Sequence, residues 1–251
     1  IMSSDWSSDV CSSDLGKFLC KQTPGRLQIM LKLAAKGLPA APPQHGFWSK
    51  PWGALAIHRR DDWMVAAKGW SQYVWDFEMH PKMWAMKEEN VFARYWSYGT
   101  LQPITNGAPV NPVDSGWNLN RGWDWSRWPG ATTKHLSLNE LYDPETSWAS
   151  RFFSSATFVG GVGSEGRNGV FALKLHEHFH DPTFRALKTY FFFDDEIICL
   201  GSNIENRDAE HTTETTLFQC WMPNAKMPCR INGESVTAPS YTAEGTAGEP
   251  M

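Results

Sequence analysis

The chain has 251 residues, 41% hydrophobic and 20% charged, enough apolar material for a real core in one large domain or two small ones. A formal net charge of −4 excludes the broad basic field that non-specific nucleic-acid binding needs, and no apolar run approaches the ~20 residues of a membrane-spanning helix. With 14 Trp and 14% aromatic residues, the composition favours β-structure and carbohydrate contact over a helical bundle.

At the N-terminus, Ser-Ser-Asp recurs three times between Ser3 and Asp14 with no hydrophobic periodicity. It has neither the basic start nor the apolar core of a signal peptide. Residues 1–15 read as foreign to the fold, of the kind a translated sequencing adapter leaves. Leu27, Met30, Leu31 and Ala34 then follow i, i+3, i+4, i+7 spacing, which predicts a helix over Leu27–Lys36, ended by Gly37 and Pro39. Ala40–Pro43 reads as a linker, after which the character turns to β.

Ala54–His58 and Trp63–Ala67 flank the charged run Arg59-Arg60-Asp61-Asp62 and predict a hairpin. Tyr73–Glu78 and Ala93–Gly99 are further strand candidates. Gln102–Asn120 is rich in Pro, Asn and Gly and predicts a long loop of the kind that often carries function. Arg151–Val159, Val170–Leu175, Leu187–Phe193, Glu196–Leu200, Thr212–Trp221 and Pro228–Val236 complete the predicted strands. Asp194-Asp195 and Asn232-Gly233 are turns; the first joins two apolar strands expected to be buried on both faces. Many antiparallel strands with turn chemistry and little helix predict a mainly β fold, a large antiparallel β-sandwich. Thr242–Met251 carries no closing element, so the chain is expected to stop inside a domain.

Gly122–Thr133 holds Trp123, Trp125, Arg127 and Trp128 and closes on the turn Pro129-Gly130. Flat aromatic faces suit the apolar side of a sugar ring, and an arginine fork pairs bidentately with a carboxylate or sulfate. The stretch therefore reads either as a site for an acidic sugar polymer or as a tryptophan-rich core. Gly161–Gly166 fits G-x-G-x-x-G, but the residues after it read as a strand, which excludes a dinucleotide site. The glycines instead suggest a close-approach loop presenting Glu165 and Arg167. His176, His178 and His180 alternate like zinc ligands on a strand face, yet no carboxylate motif accompanies them, so they read as a polar strand end. Asp194, Asp195 and Glu196 read as a solvated turn rather than a calcium site. No metal or other cofactor is predicted, although a divalent cation is compatible with the sequence. The five cysteines are scattered; Cys220 and Cys229 either pair across a hairpin or are free thiols.

Several blocks in one order carry a family resemblance: Gly53–Arg59, Gly122–Arg127 with Gly130–Thr133, Gly163–Gly166, Leu200–Ile204 and Glu214–Gln219. Together, from about Leu38 to about Gly248, the chain resembles the chondroitin sulfate ABC lyases, of the polysaccharide lyase family that includes hyaluronate and chondroitin AC lyases. The resemblance implies a galactose mutarotase-like super-sandwich (residues 46–251). Residues 16–45 would be the remnant of an (α/α) toroid domain and its linker. It implies β-elimination on a uronic-acid-containing glycosaminoglycan, in a secreted or periplasmic parent protein, with Arg59 and Glu165 as catalytic residues. Trp123, Trp125 and Arg127 are assigned to substrate binding. The family's catalytic histidine and tyrosine belong to the toroid, and no tyrosine precedes Tyr73 here. The expected partners are thus an acidic polysaccharide and the missing toroid domain of the same parent chain, with neither nucleic acid nor membrane. The fragment alone is expected to be inactive. The alternative readings are a non-catalytic carbohydrate-binding sandwich and a mutarotase-like enzyme.

Overall fold

The computed structural model describes residues 24–37, 44–76, 93–119, 122–141, 152–177, 180–222, 229–231 and 233–236. An isolated helix, α1 (Pro24–Ala35), comes first, with Ile29, Met30, Leu31 and Leu33 exposed. No helix among the described residues is long and apolar enough to cross a membrane. The first four strands, β1 (Gly46–Lys50), β2 (Leu55–Arg60), β3 (Trp63–Lys68) and β4 (Thr100–Ile104), form an antiparallel sheet in that order. After β5 (Thr132–Lys134) and the single turn α2 (Leu138–Leu141) comes a second antiparallel sheet. It consists of β6 (Val159–Ser164), β7 (Asn168–His176), β8 (Arg185–Phe192) and β9 (Ile197–Glu205), again in order. β10 (Thr213–Thr215) returns to pair with β5, and β11 (Cys229–Ile231) with β12 (Glu234–Val236) makes a last hairpin.

Alternation fills the core. Ala56 and His58 of β2 and Val65 and Ala67 of β3 point inward from the first sheet. Phe171, Leu173 and Leu175 of β7 and Ala186, Lys188, Tyr190 and Phe192 of β8 point inward from the second. Phe47 of β1 lies against Phe192, with ring centroids 5.4 Å apart. One glycine of the G-x-G-x-x-G stretch and one just after it serve this contact. Gly163 and Gly169 lie against the Phe47 ring, and at Gly169 a Cβ would overlap it. Their job is close strand packing, and β7 follows where a nucleotide fold needs a helix.

The expected hairpins at Arg60–Trp63, Asp194–Asp195 and Asn232–Gly233 join the strands as read, the last with Asn232 itself outside the described residues. Five expectations change, the first being that Tyr73–Asp76, the described part of Tyr73–Glu78, is bend and coil rather than strand. Ala93–Ser97 is a 3-10 turn, not a strand, burying Tyr95 beneath Tyr98 at 4.7 Å. The described part of Arg151–Val159 is irregular until Val159, and only Thr213–Thr215 of Thr212–Trp221 is strand. Finally, the strands either side of Asp194-Asp195 are not buried on both faces. β8 alternates, and β9 is an edge strand with Ile198, Leu200 and Ile204 exposed. An apolar run reports hydrophobicity, not which strand has a neighbour. Cys199 and Cys220 are free, exposed thiols.

One inward position on β8 is a lysine. The Nζ of Lys188 donates to Thr132 Oγ1 at 2.8 Å, and burial pulls its pKa down to about 8. The native state therefore loses this proton before the unfolded state does, so stability rises with pH between about 8 and 10.5. Urea denaturation should show this limb, worth about 2 kcal/mol from pH 8 to pH 10. In Lys188→Met the rise should shrink by about that amount, leaving the similar contribution of Lys68, whose pKa burial also pulls down to about 8; an unchanged slope would remove Lys188 as a source.

Candidate functional site

Two adjacent arginines of β2 part company because successive side chains of a strand point to opposite faces. Arg60, like Ala56 and His58, faces the second sheet. Its Nε donates to Asp194 O at 2.9 Å, and its Nη2 donates to Arg167 O at 2.8 Å and Asn168 Oδ1 at 2.7 Å. The same nitrogen lies 3.2 Å from Asp194 Oδ1. Asp194 in turn takes a two-point contact from Arg167, at 2.6 and 2.5 Å. One guanidinium thus ties the β2–β3 tip to the β6–β7 and β8–β9 tips. The Arg167 hydrogen bond is the main force holding the Asp194 carboxyl below its usual range. Beneath the clasp, burial and then the Arg60 charge lower the pKa of His58, whose ring packs against Phe192 and Trp63.

Arg59 points to the other face, in register with Gly46 of β1. Directly opposed residues share a face, so the position beside Arg59 carries no side chain. The β6–β7 turn fills that space. Phe47 N donates to Gly166 O at 2.9 Å, and a Cβ on Gly46 would run into the same carbonyl. Gly46 has φ 139°, which also favours glycine. Glu165 stands exposed at this turn with φ 54°, in the left-handed region. The backbone of Arg59 and the turn bearing Glu165 are therefore roughly two strand spacings apart, about 10 Å, across a glycine. Among the described residues no ion pair joins them. The Arg59 Nε is buried without a hydrogen-bond partner, a donor with nothing to bind. Trp48, on the same face of β1, lies 3.6 Å from the Gly46 Cβ position. Sequence reading passed Trp48 over; its signal was the register Gly46-x-Trp48 opposite Ile57-x-Arg59.

The other expected residues lie elsewhere. Trp123 and Trp125 are each 7% exposed and pack against Trp128, so their faces are taken up by the core. Arg127 grips Glu214 through Nε at 2.7 Å and Nη2 at 3.1 Å, and Asp124 through Nη1 at 2.8 Å. The hydrogen bond with Glu214 raises the Arg127 pKa and lowers that of Glu214. Gln219 bridges the same segments, accepting from Asp124 N and donating to Arg127 O. Two of the sequence blocks, Gly122–Thr133 and Glu214–Gln219, are thus each other's structural partners. His176 bonds Ser155 Oγ and Pro182 O, away from His180, and His178 lies outside the described residues.

Residues 45–247 match the family described as polysaccharide lyase family 8, super-sandwich domain. A chondroitin sulfate ABC exolyase of Bacteroides thetaiotaomicron is 37% identical over 201 residues, covering 76% of this chain and 19% of its own length. One of Proteus vulgaris is 36% identical over 215 residues, covering 80% of this chain and 20% of its own length. A solved chondroitinase AC lyase superposes with a TM-score of 0.56 at 28% identity, covering 72% of this chain and 24% of its own. The chain spans about a fifth of the length of these curated relatives.

The two arginines should separate in urea denaturation. Arg60→Ala leaves two carbonyls and the Asp194 carboxylate short of a partner and should cost about 3 kcal/mol. Arg59→Ala removes a guanidinium whose Nε bonds nothing and should cost less than about 1 kcal/mol. Equal costs would contradict the assignment.

Proposed function

The chain belongs to polysaccharide lyase family 8 through its super-sandwich domain, and on that premise we propose that it forms one wall of a cleft that cleaves a uronic-acid-containing glycosaminoglycan by β-elimination. In this reaction a base takes the C5 proton of the uronic acid, the C4–O bond breaks, a C4–C5 double bond forms and the leaving oxygen gains a proton. The C5 proton is weakly acidic beside an ionised carboxylate, so the cleft must offset that charge as it spreads toward the developing enolate. Arg59 does so in this reading, its guanidinium reaching the uronate carboxylate or the glycosidic oxygen. Glu165 orients that guanidinium from across Gly46. Trp48, beside Gly46 on the same face of β1, offers the sugar ring an aromatic surface in this reading. The observation that carries the reading is the Arg59 side chain on the strand face turned away from the second sheet, with an Nε that no group of the protein accepts from.

Proton transfer is assigned to a histidine and a tyrosine of a helical toroid domain, to which α1 would belong, in a parent protein that works in the periplasm or outside the cell. A protein of net charge −4 needs such a local cationic point to hold a polyanion. A binding-only sandwich is the second reading, favoured by Trp52, 93% exposed at the far end of the β1–β2 hairpin.

Calorimetric titration with chondroitin sulfate oligosaccharides separates the two. Arg59→Ala should weaken binding about 10-fold or more, with Arg185→Ala unchanged. The polypeptide alone should release no unsaturated uronide, read by its ultraviolet absorbance. Loss of binding in Trp52→Ala but not Arg59→Ala would favour the binding-only sandwich, and turnover by the polypeptide alone would overturn the assignment of proton transfer to the toroid.

A further inference from the structure

At the opposite end of β7 from the arginine clasp, three segments bring a carboxylate and two imidazoles together. Glu140 comes from α2, His180 from the β7–β8 connection and His211 from the β9–β10 connection. Their ligand atoms all lie within 4.8 Å of one another. They line a cavity of about 330 Å³ that also holds Asp208. We propose that Glu140, His180 and His211 form a divalent transition-metal site, with zinc the metal best suited to the donor set.

The arrangement is that of a site prepared for a cation. His211 Nδ1 lies 2.8 Å from Asp208 Oδ2, which leaves Nε2 as the ligand atom. A carboxylate behind a coordinating imidazole is the usual device for fixing its tautomer and ring orientation. Asp208 is itself anchored by Lys134 Nζ at 2.8 Å. Glu140 divides its two oxygens. Oε2 accepts from Ser137 N at 2.9 Å and Ser137 Oγ at 2.6 Å, a capping box that fixes the carboxylate. Oε1 is left facing His211 Nε2 at 3.0 Å. Two ligands about 2.0–2.1 Å from a tetrahedral zinc stand about 3.3 Å apart, so a small outward shift admits the ion between them. His180 completes the set. Its ring meets that of His211 edge to face at 5.2 Å, and its Nδ1 is buried with no hydrogen-bond partner.

Two imidazoles and one carboxylate are a borderline-soft set. It suits zinc and its neighbours better than calcium or magnesium, which prefer all-oxygen shells. Three protein ligands leave the fourth position to water from the cavity. The ion would staple α2 to both connections and so order the end of the sandwich where β5 and β10 pair. The nine residues of β7 put this site about 30 Å from the turn bearing Glu165, so the two can be tested apart.

The test is titration of the purified chain, its thiols alkylated, with Zn²⁺ by calorimetry and with Co²⁺ by visible absorption. One equivalent should bind, give the cobalt d–d band and raise the melting temperature, with EDTA reversing the shift. Glu140→Gln keeps an acceptor for the Ser137 cap, and it and His180→Ala, each checked by circular dichroism, should lose the cobalt band. Asp208→Asn should bind about 10–100-fold more weakly, and the surface control His45→Ala should bind as the parent does. Absence of the band in the parent chain, or zinc binding of equal strength in Glu140→Gln and His180→Ala, would overturn the proposal.

Discussion

The Arg60 guanidinium is the interaction on which the working end of this sandwich depends. Hairpin tips are ordinarily the loosest parts of a β-fold. Here three of them converge on one half-buried cation and the Asp194 carboxylate beside it. The convergence brings the β6–β7 turn against the bare position at Gly46, where Phe47 N closes the contact with Gly166 O. The turn that carries Glu165 is consequently held against β1, the strand next to the one that carries Arg59. A surface ion pair of this size would be worth little. Arg60 differs because most of its bonds go to backbone carbonyls from a side chain only 12% exposed, so losing it leaves those carbonyls unsatisfied.

That design divides labour between neighbours of identical chemistry. The charge run Arg59-Arg60-Asp61-Asp62 offered two equivalent arginines, and composition had no means of separating them. Strand parity does: the buried Ala56 and His58 put Arg60 inward, and Arg59 must then face out. The family resemblance pointed to Arg59 but said nothing of Arg60, which turns out to organise the surroundings. The hairpins, the sandwich class and the strand after the glycine stretch were legible because turn chemistry and period-2 alternation are local signals. The tryptophan block was not. A sugar platform and an aromatic core use the same residues, and what decides between them is a partner 87 positions away, Glu214 gripping Arg127. The histidines failed for a similar reason. His176 and His180 share a sequence run, but His180 meets His211 and Glu140 from other connections.

The two proposed sites, the arginine on β2 and the cluster of Glu140, His180 and His211, lie toward opposite ends of β7. One end carries Arg59, whose buried Nε has no hydrogen-bond partner, and this is the cationic point that the proposed function assigns to a polyanion. The other end gathers its charges into a closed network of Lys134, Asp181 and Asp208. Between them lies an aromatic core in which Tyr190 Oη bridges Gly99 O and Gly130 O, holding both loops to β8.

The most direct check of the clasp is amide hydrogen exchange at Phe47, compared between the parent chain and Arg60→Ala. If Arg60 holds the β6–β7 turn against β1, the Phe47 amide should lose protection well beyond the loss at central β8 amides such as Lys188, which report global opening. Equal loss at both positions would mean that the turn sits against Gly46 without help from Arg60, and the account of how the clasp places the turn bearing Glu165 would fail.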